Sequence, residues 1–191
     1  PASRSQELKY ILPTFLKTAK QLQQRYPSLV VYIPSCRRAF DEKFRKGLDK
    51  YEIKGKVISQ QYDSELKPYI YSLTKLALCK SGTVNMELAL YGIPQIIGYR
   101  VSRVTAFIAK RILNFKVRFI SPVNLLLKKF VIPEYVQKNF NEKKIFYKAC
   151  RLIDLKSEKA KIKKGYTLLK KELGKKGVVE RAAKEIINSI I

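Results

Sequence analysis

The chain has 191 residues, a formal charge of +25 from 40 basic against 15 acidic side chains, and no histidine. Its length suits one domain with appendages, its 46% apolar content excludes general disorder, and the lack of imidazoles excludes histidine-based catalysis and the usual zinc sites. No apolar run approaches the roughly 20 residues that span a bilayer, and the opening Pro-Ala-Ser-Arg-Ser-Gln-Glu lacks a signal-peptide core, so the chain reads as one entered partway through.

Taken in order, helices alternate with short strands. Leu8, Leu12, Phe15, Ala19 and Leu22 form a helical stripe over Ser5 to Arg25, with a kink or fresh start expected at Pro13. Leu29 to Ile33 is β-rich and closed by Pro34, Arg37 to Lys50 is a polar helix, and Lys56 to Ser59 is a second strand. Ser64 to Leu73 is helical around Pro68, Leu76 to Cys79 is strand three, and Asn85 to Tyr91 is a helix stopped by Gly92. Gln95 to Tyr99 makes strand four. Val101, Val104, Thr105, Ile108 and Ile112 share one face of an amphipathic stretch reaching Leu113, with Arg103 and Lys110 opposite. Lys116 to Ile120 reads as strand five, lysine-rich helices fill Pro133 to Leu173, and a last helix puts Val179, Ala182, Ala183, Ile186 and Ile190 on one side. This alternation predicts right-handed crossovers and a parallel sheet covered on both faces.

The charge is uneven. Residues 100–176 hold 22 basic and 5 acidic side chains, which is +17 of the total, and such a surface draws polyanions: nucleic acid or an anionic membrane. Three widely spaced cysteines, Cys36, Cys79 and Cys150, fit reduced, buried thiols better than a disulfide.

Ser81-Gly82-Thr83, between the run ending at Cys79 and a helix carrying Glu87, is the most informative segment. A strand, a tight polar loop and a helix start aim backbone N–H groups at a phosphate, and Glu87 lies on the same face, able to accept from a ribose diol. The plainer alternative is an ordinary N-cap with an acidic first turn.

Several segments then follow one another at set spacing. They are Pro1-Ala2-Ser3-Arg4 with Gln6-Glu7; Ser81-Gly82-Thr83 with Glu87; and Gly92-Ile93-Pro94 leading to Tyr99-Arg100-Val101-Ser102. Ala109-Lys110-Arg111, Ser121-Pro122-Val123-Asn124-Leu125-Leu126, Val131-Ile132-Pro133-Glu134 with Gln137, and Leu173-Gly174 through Glu180-Arg181-Ala182-Ala183 complete the series. Together they resemble the C-terminal half of the lipid-A-disaccharide synthase family over nearly the whole chain.

The resemblance implies an α/β fold with a Rossmann-like parallel sheet flanked by helices, the C-terminal lobe of a two-lobed (GT-B type) glycosyltransferase. It implies a donor-nucleotide lobe over residues 1–174 that lacks its first strand, a helix over 175–191 packing back on the fold, and an N-terminal acceptor lobe outside this chain. The implied reaction transfers 2,3-diacylglucosamine from UDP to 2,3-diacylglucosamine 1-phosphate (lipid X), giving lipid A disaccharide 1-phosphate and UDP. No metal and no cofactor are expected, since the UDP-sugar is a substrate. The catalytic base belongs to the absent lobe, so none is assigned here, and the fragment alone is expected to be inactive. Expected partners are UDP-2,3-diacylglucosamine, lipid X, an anionic membrane surface and the N-terminal lobe, with no specific nucleic acid; a homodimer stays open. The expected setting is cytoplasmic and peripheral on an inner membrane, or alternatively a plastid.

For the site, the resemblance implies UDP-sugar contacts from Ser3, Arg4, Ser81, Gly82, Thr83 and Glu87. Arg4 would clamp the pyrophosphate with help from Ser3, Ser81 to Thr83 would hold it from the other side, and Glu87 would take the ribose hydroxyls. Tyr32 and Pro34 end a strand where uracil would lie. Arg100, Asn124, Glu134 and Gln137 fall near the cleft without assigned roles. Read without the family, Arg4 is a helix-start residue, Asn124 a turn residue and Glu134 an acid at a helix N-terminus. Ala2, Lys75 and Lys128-Lys129-Phe130 depart from the family pattern, the last putting acyl-sugar preference in doubt. Two other classes stand beside this reading: a non-catalytic basic module for nucleic acid or anionic membrane, and an inactive truncated relative.

Overall fold

The computed structural model describes residues 4–59, 63–102, 118–174 and 177–190. Helix α1 runs Ser5–Arg25, β1 Val31–Pro34, α2 Arg38–Lys50, β2 Gly55–Ile58, α3 Asp63–Leu73 and β3 Ala77–Cys79. Next come α4 (Val84–Leu90), β4 (Gln95–Tyr99), α5 (Pro122–Leu127), β5 (Glu134–Val136) and a single 3-10 turn, Gln137–Asn139. Helices α6 (Glu142–Asp154), α7 (Lys156–Leu173) and α8 (Val178–Ile190) follow. Every strand pairing is parallel, as the alternating pattern predicts.

The strands form two hydrogen-bonded sheets, β1–β2 and β3–β4–β5, where the sequence pattern suggests one. The fifth strand is also displaced. Arg118 to Ile120 are not in a strand, and Glu134–Val136 pairs with β4 instead, in register from Ile97 with Glu134 to Tyr99 with Val136. Expected positions 116–117, and the amphipathic stretch from 103 to 113, lie outside the described residues.

Helix α1 is continuous through Pro13. Proline removes one amide donor, yet the helix buries two stripes and tertiary contact outweighs the defect. Ile11, Phe15 and Leu22 enter the core built on β3, β4, α6 and α7. Leu8, Leu12, Leu16 and Ala19 enter a second core with Ile33, Phe40, Phe44, Leu48 and Ile53. Each large side chain so removed from water contributes about 1.5–3 kcal/mol. The Gln23 side chain fastens α1 to β2, donating to the carbonyls of Leu29 (2.9 Å) and Lys54 (2.6 Å) and accepting from the Lys54 amide (3.0 Å). At its far end, Tyr26 donates to Asp154 of α6 at 2.8 Å.

Burial separates the strands. Gln95 to Gly98 of β4 are buried, as a central parallel strand should be, whereas Ala77 and Leu78 of β3 are half-buried and Tyr32 and Pro34 of β1 are exposed. Gly92 closes α4 with φ of +75°, the left-handed stop its sequence position predicts. The lysine tract from Lys156 is an ordered helix through Leu173.

Helix α8 departs from expectation: every residue from Gly177 to Ser189 is exposed, so its apolar stripe does not pack back on the described fold. Val179 is 78% and Ile186 59% exposed. Among the three cysteines only Cys79 is buried; Cys36 is exposed, against expectation, and the three form no disulfide.

A buried carboxylate joins α6 to α7. Glu158 accepts from Lys148 at 2.5 Å and Arg151 at 3.0 Å, with Lys161 at 3.5 Å. The Lys148 hydrogen bond, aided by Arg151, holds the Glu158 carboxyl down at about 2 although burial pushes it up. A depressed folded-state value stabilises the fold above the ordinary 4.5, and that contribution is lost as pH falls towards 2. Thermal midpoints measured between pH 5 and pH 2 should therefore fall less steeply for Glu158→Gln than for the parent chain. Parallel slopes would place the acid sensitivity elsewhere.

Candidate functional site

The site grows from the end of β3. Lys80 follows Cys79, and its ammonium bonds both oxygens of Glu7 at 2.9 Å, with the two side chains 20% and 11% exposed. Glu7 lies in the first turn of α1, one turn after Arg4, whose carbonyl accepts the Leu8 amide at 3.1 Å. That pair ties the first turn of α1 to Lys80, the residue that precedes the loop Ser81 to Thr83. Arg4 is exposed at the N-cap position with an extended backbone. Ser3 lies outside the described residues.

Within the loop the residues differ. The Ser81 hydroxyl donates to the carbonyl of Ile120 and so faces the protein, not the open side. The Gly82 amide donates to Asn85 Oδ1 at 2.9 Å, so that N–H is engaged internally. Among the described residues, a Cβ built at Gly82 meets nothing within 4 Å. Thr83 is exposed. Helix α4 has only seven residues, so its dipole is short, and the loop groups outweigh it. Glu87, half-buried, is paired with Lys67 of α3 at 2.8 Å.

The far wall is built by Asn124 and Glu134. Glu134 accepts from the amides of Ile120 (2.8 Å) and Ser121 (2.9 Å) and from the Asn124 side chain (2.7 Å). Asn124, fully buried, accepts from the amides of Val131 and Ile132 at 2.9 Å each and donates to the Ile132 carbonyl at 2.7 Å. Glu134 is thus a strand residue that holds a turn, not a helix-start acid, and Asn124 staples the chain from α5 to β5. Ser121 caps α5 by accepting the Asn124 amide at 3.2 Å. Through the Ser81 to Ile120 bond, this wall supports the loop.

Arg100 is occupied as well. It donates to the carbonyls of Gln137 (3.2 Å) and Phe140 and sits over the Phe140 ring, 5.2 Å from its centre. Gln137 has a left-handed φ of +51°, and Arg100 holds its carbonyl in that turn. Tyr32 (40% exposed) and Pro34 stand open at the C-terminal end of β1. Lys128, Lys129 and Phe130 are all exposed, with Phe130 edge-on to Phe119 at 4.6 Å. Among the described residues two open grooves lie away from the loop, one of about 500 Å³ lined by Gln21, Gln24, Arg25, Lys143 and Phe146 and one along β2.

Residues 1–191 match the family model described as lipid-A-disaccharide synthetase. The chain belongs to the lipid-A-disaccharide synthase family. It is 46% identical over 188 residues to the lipid-A-disaccharide synthase of Prochlorococcus marinus (strain MIT 9313), covering 98% of this chain and 48% of that protein. The lipid-A-disaccharide synthase of Gloeothece citriformis (strain PCC 7424) is 35% identical, covering 100% of this chain and 48% of its own. That of Chromobacterium violaceum is 30% identical over 98% of this chain and 47% of its own. The chain thus spans about half the length of these lipid-A-disaccharide synthases, as suits one lobe of a two-lobed transferase.

Sequence reading of this synthase lobe missed Glu7 and Lys80 as a brace, Lys67 as the partner of Glu87, and Asn85. Glu7 and Lys80 stand 73 residues apart and carry no spacing that would signal a pair. Asn85 offered one signal, a polar residue on the inner face of a short apolar helix, three positions after a glycine.

Proposed function

We propose that this chain is the donor-binding half of an enzyme transferring 2,3-diacylglucosamine from UDP to 2,3-diacylglucosamine 1-phosphate. The acceptor 6-hydroxyl oxygen bonds to the sugar C1 as the bond from C1 to the β-phosphate oxygen breaks. UDP leaves with that electron pair, and the hydroxyl proton goes to a base in the other lobe. Family membership and one observation support this: Lys80, at the C-terminal end of β3 and just before the loop Ser81 to Thr83, is paired with Glu7, one turn after Arg4. Parallel sheets bind ligands off that end, where successive strands turn away from each other. Here the chain steps from β1 to β2 in one sheet and from β3 through β5 in the other.

On this reading Arg4 and the loop amides other than that of Gly82 neutralise the charge growing on the leaving diphosphate, work that metal-independent transfer leaves to the protein. Thr83 adds a hydroxyl. Lys67 takes Oε1 of Glu87 and leaves the second oxygen for a ribose hydroxyl. Ser81, Asn124, Glu134, Gln137 and Arg100 serve by holding the walls. Diacyl substrates sit at a bilayer surface, and the lysines of α7 suit an anionic one. No described helix is long and apolar enough to cross a membrane.

Labelled UDP titrated into the intact protein, with RNA or anionic vesicles as competitors, tests this. Saturable UDP binding that RNA does not displace is expected, and Glu87→Ala should weaken it by about 1–3 kcal/mol, the range for orphaning a hydrogen-bonded polar group. Displacement by RNA, or no UDP binding, overturns the transferase reading. Unchanged affinity in Glu87→Ala removes the ribose role alone.

A further inference from the structure

A buried polar chain runs from α7 to the loop. Tyr166, 2% exposed, donates to the Ile93 carbonyl at 2.9 Å and accepts from Gln95 Nε2 at 3.0 Å. Gln95 Nε2 also donates to the Asn85 carbonyl at 2.9 Å, and Gln95 Oε1 accepts from Asn85 Nδ2 at 3.2 Å. Asn85 then reaches both ends of the turn after β3: Nδ2 donates to the Lys80 carbonyl at 3.2 Å, and Oδ1 accepts from the Gly82 amide at 2.9 Å. The Cys79 thiol closes the group, accepting from Asn85 at 3.3 Å and lying 3.5 Å from Gln95 Oε1. Asn85 and Gln95 are fully buried.

Placing two carboxamides and a phenol beneath a parallel sheet is costly unless each finds its partners, and here each does. Apolar side chains would fill the same volume without that demand. What the polar set adds is direction, because a hydrogen-bonded amide holds its neighbours at fixed distance and angle where a leucine would let them slide. The direction is delivered to residues 80–82, and the Gly82 amide points inward to Asn85, so the loop's outward groups are those of its other residues.

We propose that Asn85 is a positioning residue for the diphosphate-binding loop, its buried amide clipping Lys80 and Gly82 and referring the turn through Gln95 and Tyr166 to α7. This rests on the donor-lobe reading above. Asn85 touches no ligand; it acts through the loop. Its effect should therefore appear in recognition of the phosphates and be absent from recognition of the nucleoside.

The test compares UDP and uridine binding by calorimetry to the intact protein, to Asn85→Ala and to Asn85→Asp, with thermal midpoints recorded for each. Asn85→Asp keeps the volume and the acceptor facing Gly82 but loses the amide donor to Lys80 and Gln95. UDP affinity should fall about tenfold in Asn85→Ala, the scale of one hydrogen bond to a charged group, and at least as far in Asn85→Asp, whose second oxygen meets the Lys80 carbonyl and Gln95 Oε1, while uridine affinity stays within about twofold. Equal losses for UDP and uridine would show a purely structural role and overturn the proposal, as would unchanged UDP affinity. If Asn85→Ala fails to fold, the UDP-to-uridine ratio in Asn85→Asp decides alone. A parent protein that binds uridine and UDP equally, or neither, instead overturns the donor-lobe reading.

Discussion

Replacing Asn124 by Ala should lower the stability of the fold by roughly 2–5 kcal/mol, more than a typical single substitution. The residue is fully buried and its side chain makes four hydrogen bonds: two accepted from the amides of Val131 and Ile132, and two donated to the Ile132 carbonyl and Glu134. Truncation leaves those groups without partners in a place where water enters poorly, at about 1–3 kcal/mol for each group that stays dry. It also takes one of three donors from Glu134, whose remaining two are the amides of Ile120 and Ser121. The damage should reach the loop, since Ser81 is tied to Ile120. Asn124→Asp should be at least as harmful, because it sets a second carboxylate against Glu134. Urea titration is the measurement: a lower midpoint with unchanged slope is expected. A loss below about 1 kcal/mol would mean that the chain between α5 and β5 has another support.

The second large effect concerns Gly98 in the buried centre of β4. An added Cβ would stand 2.1 Å from Cε2 of Phe140 and 2.8 Å from Cζ of Phe15. Those rings meet edge to face at 5.2 Å and 88°, so neither can turn aside without disturbing the other. Gly98→Ala should therefore cost about 1–3 kcal/mol by overpacking, and Gly98→Val more. Glycine's usual handicap in a strand makes the prediction sharper, since an alanine that fitted would stabilise. Combining Gly98→Ala with Phe140→Leu should recover part of the loss, and a double-variant cycle would show the coupling. Additive losses from the two changes would refute the contact. Arg100 rides on the Phe140 ring, so the single variant should also loosen the turn at Gln137.

Local signals carried much of the fold. The stripe of α1, the stop at Gly92 and the run Gln95 to Tyr99 all act within a turn or a strand, and each emerged where the pattern placed it. The misses share a cause. Glu134-Tyr135-Val136 is too short to show a period, and it becomes a strand because Ile97 donates to the Pro133 carbonyl from the neighbouring strand. Arg118 to Ile120 have the alternation of a strand but bend away to receive Glu134. The stripe on α8 predicts burial, yet a stripe says only that a helix has an apolar side, not that this chain supplies its cover.

The candidate site divides in the same way. That Ser81-Gly82-Thr83 is a loop between a strand and a helix carrying Glu87 was legible, because that order is set within a few residues. Which groups of that loop face outward was not. It depends on Asn85 taking the Gly82 amide, Ile120 taking the Ser81 hydroxyl and Lys67 meeting Glu87, each a contact between segments whose proximity the fold alone creates. Asn124 and Glu134 show the reverse: family pattern drew them to the cleft, while their bonds explain them as masonry.

Helix α1 faces two separate clusters at once, through Ile11, Phe15 and Leu22 on one flank and Leu8, Leu12, Leu16 and Ala19 on the other. Its detachment would strip a wall from both halves of the molecule simultaneously, so neither half can melt as a private event through this element. The cooperativity of the whole lobe is thereby routed along a single rod whose first turn also holds Lys80.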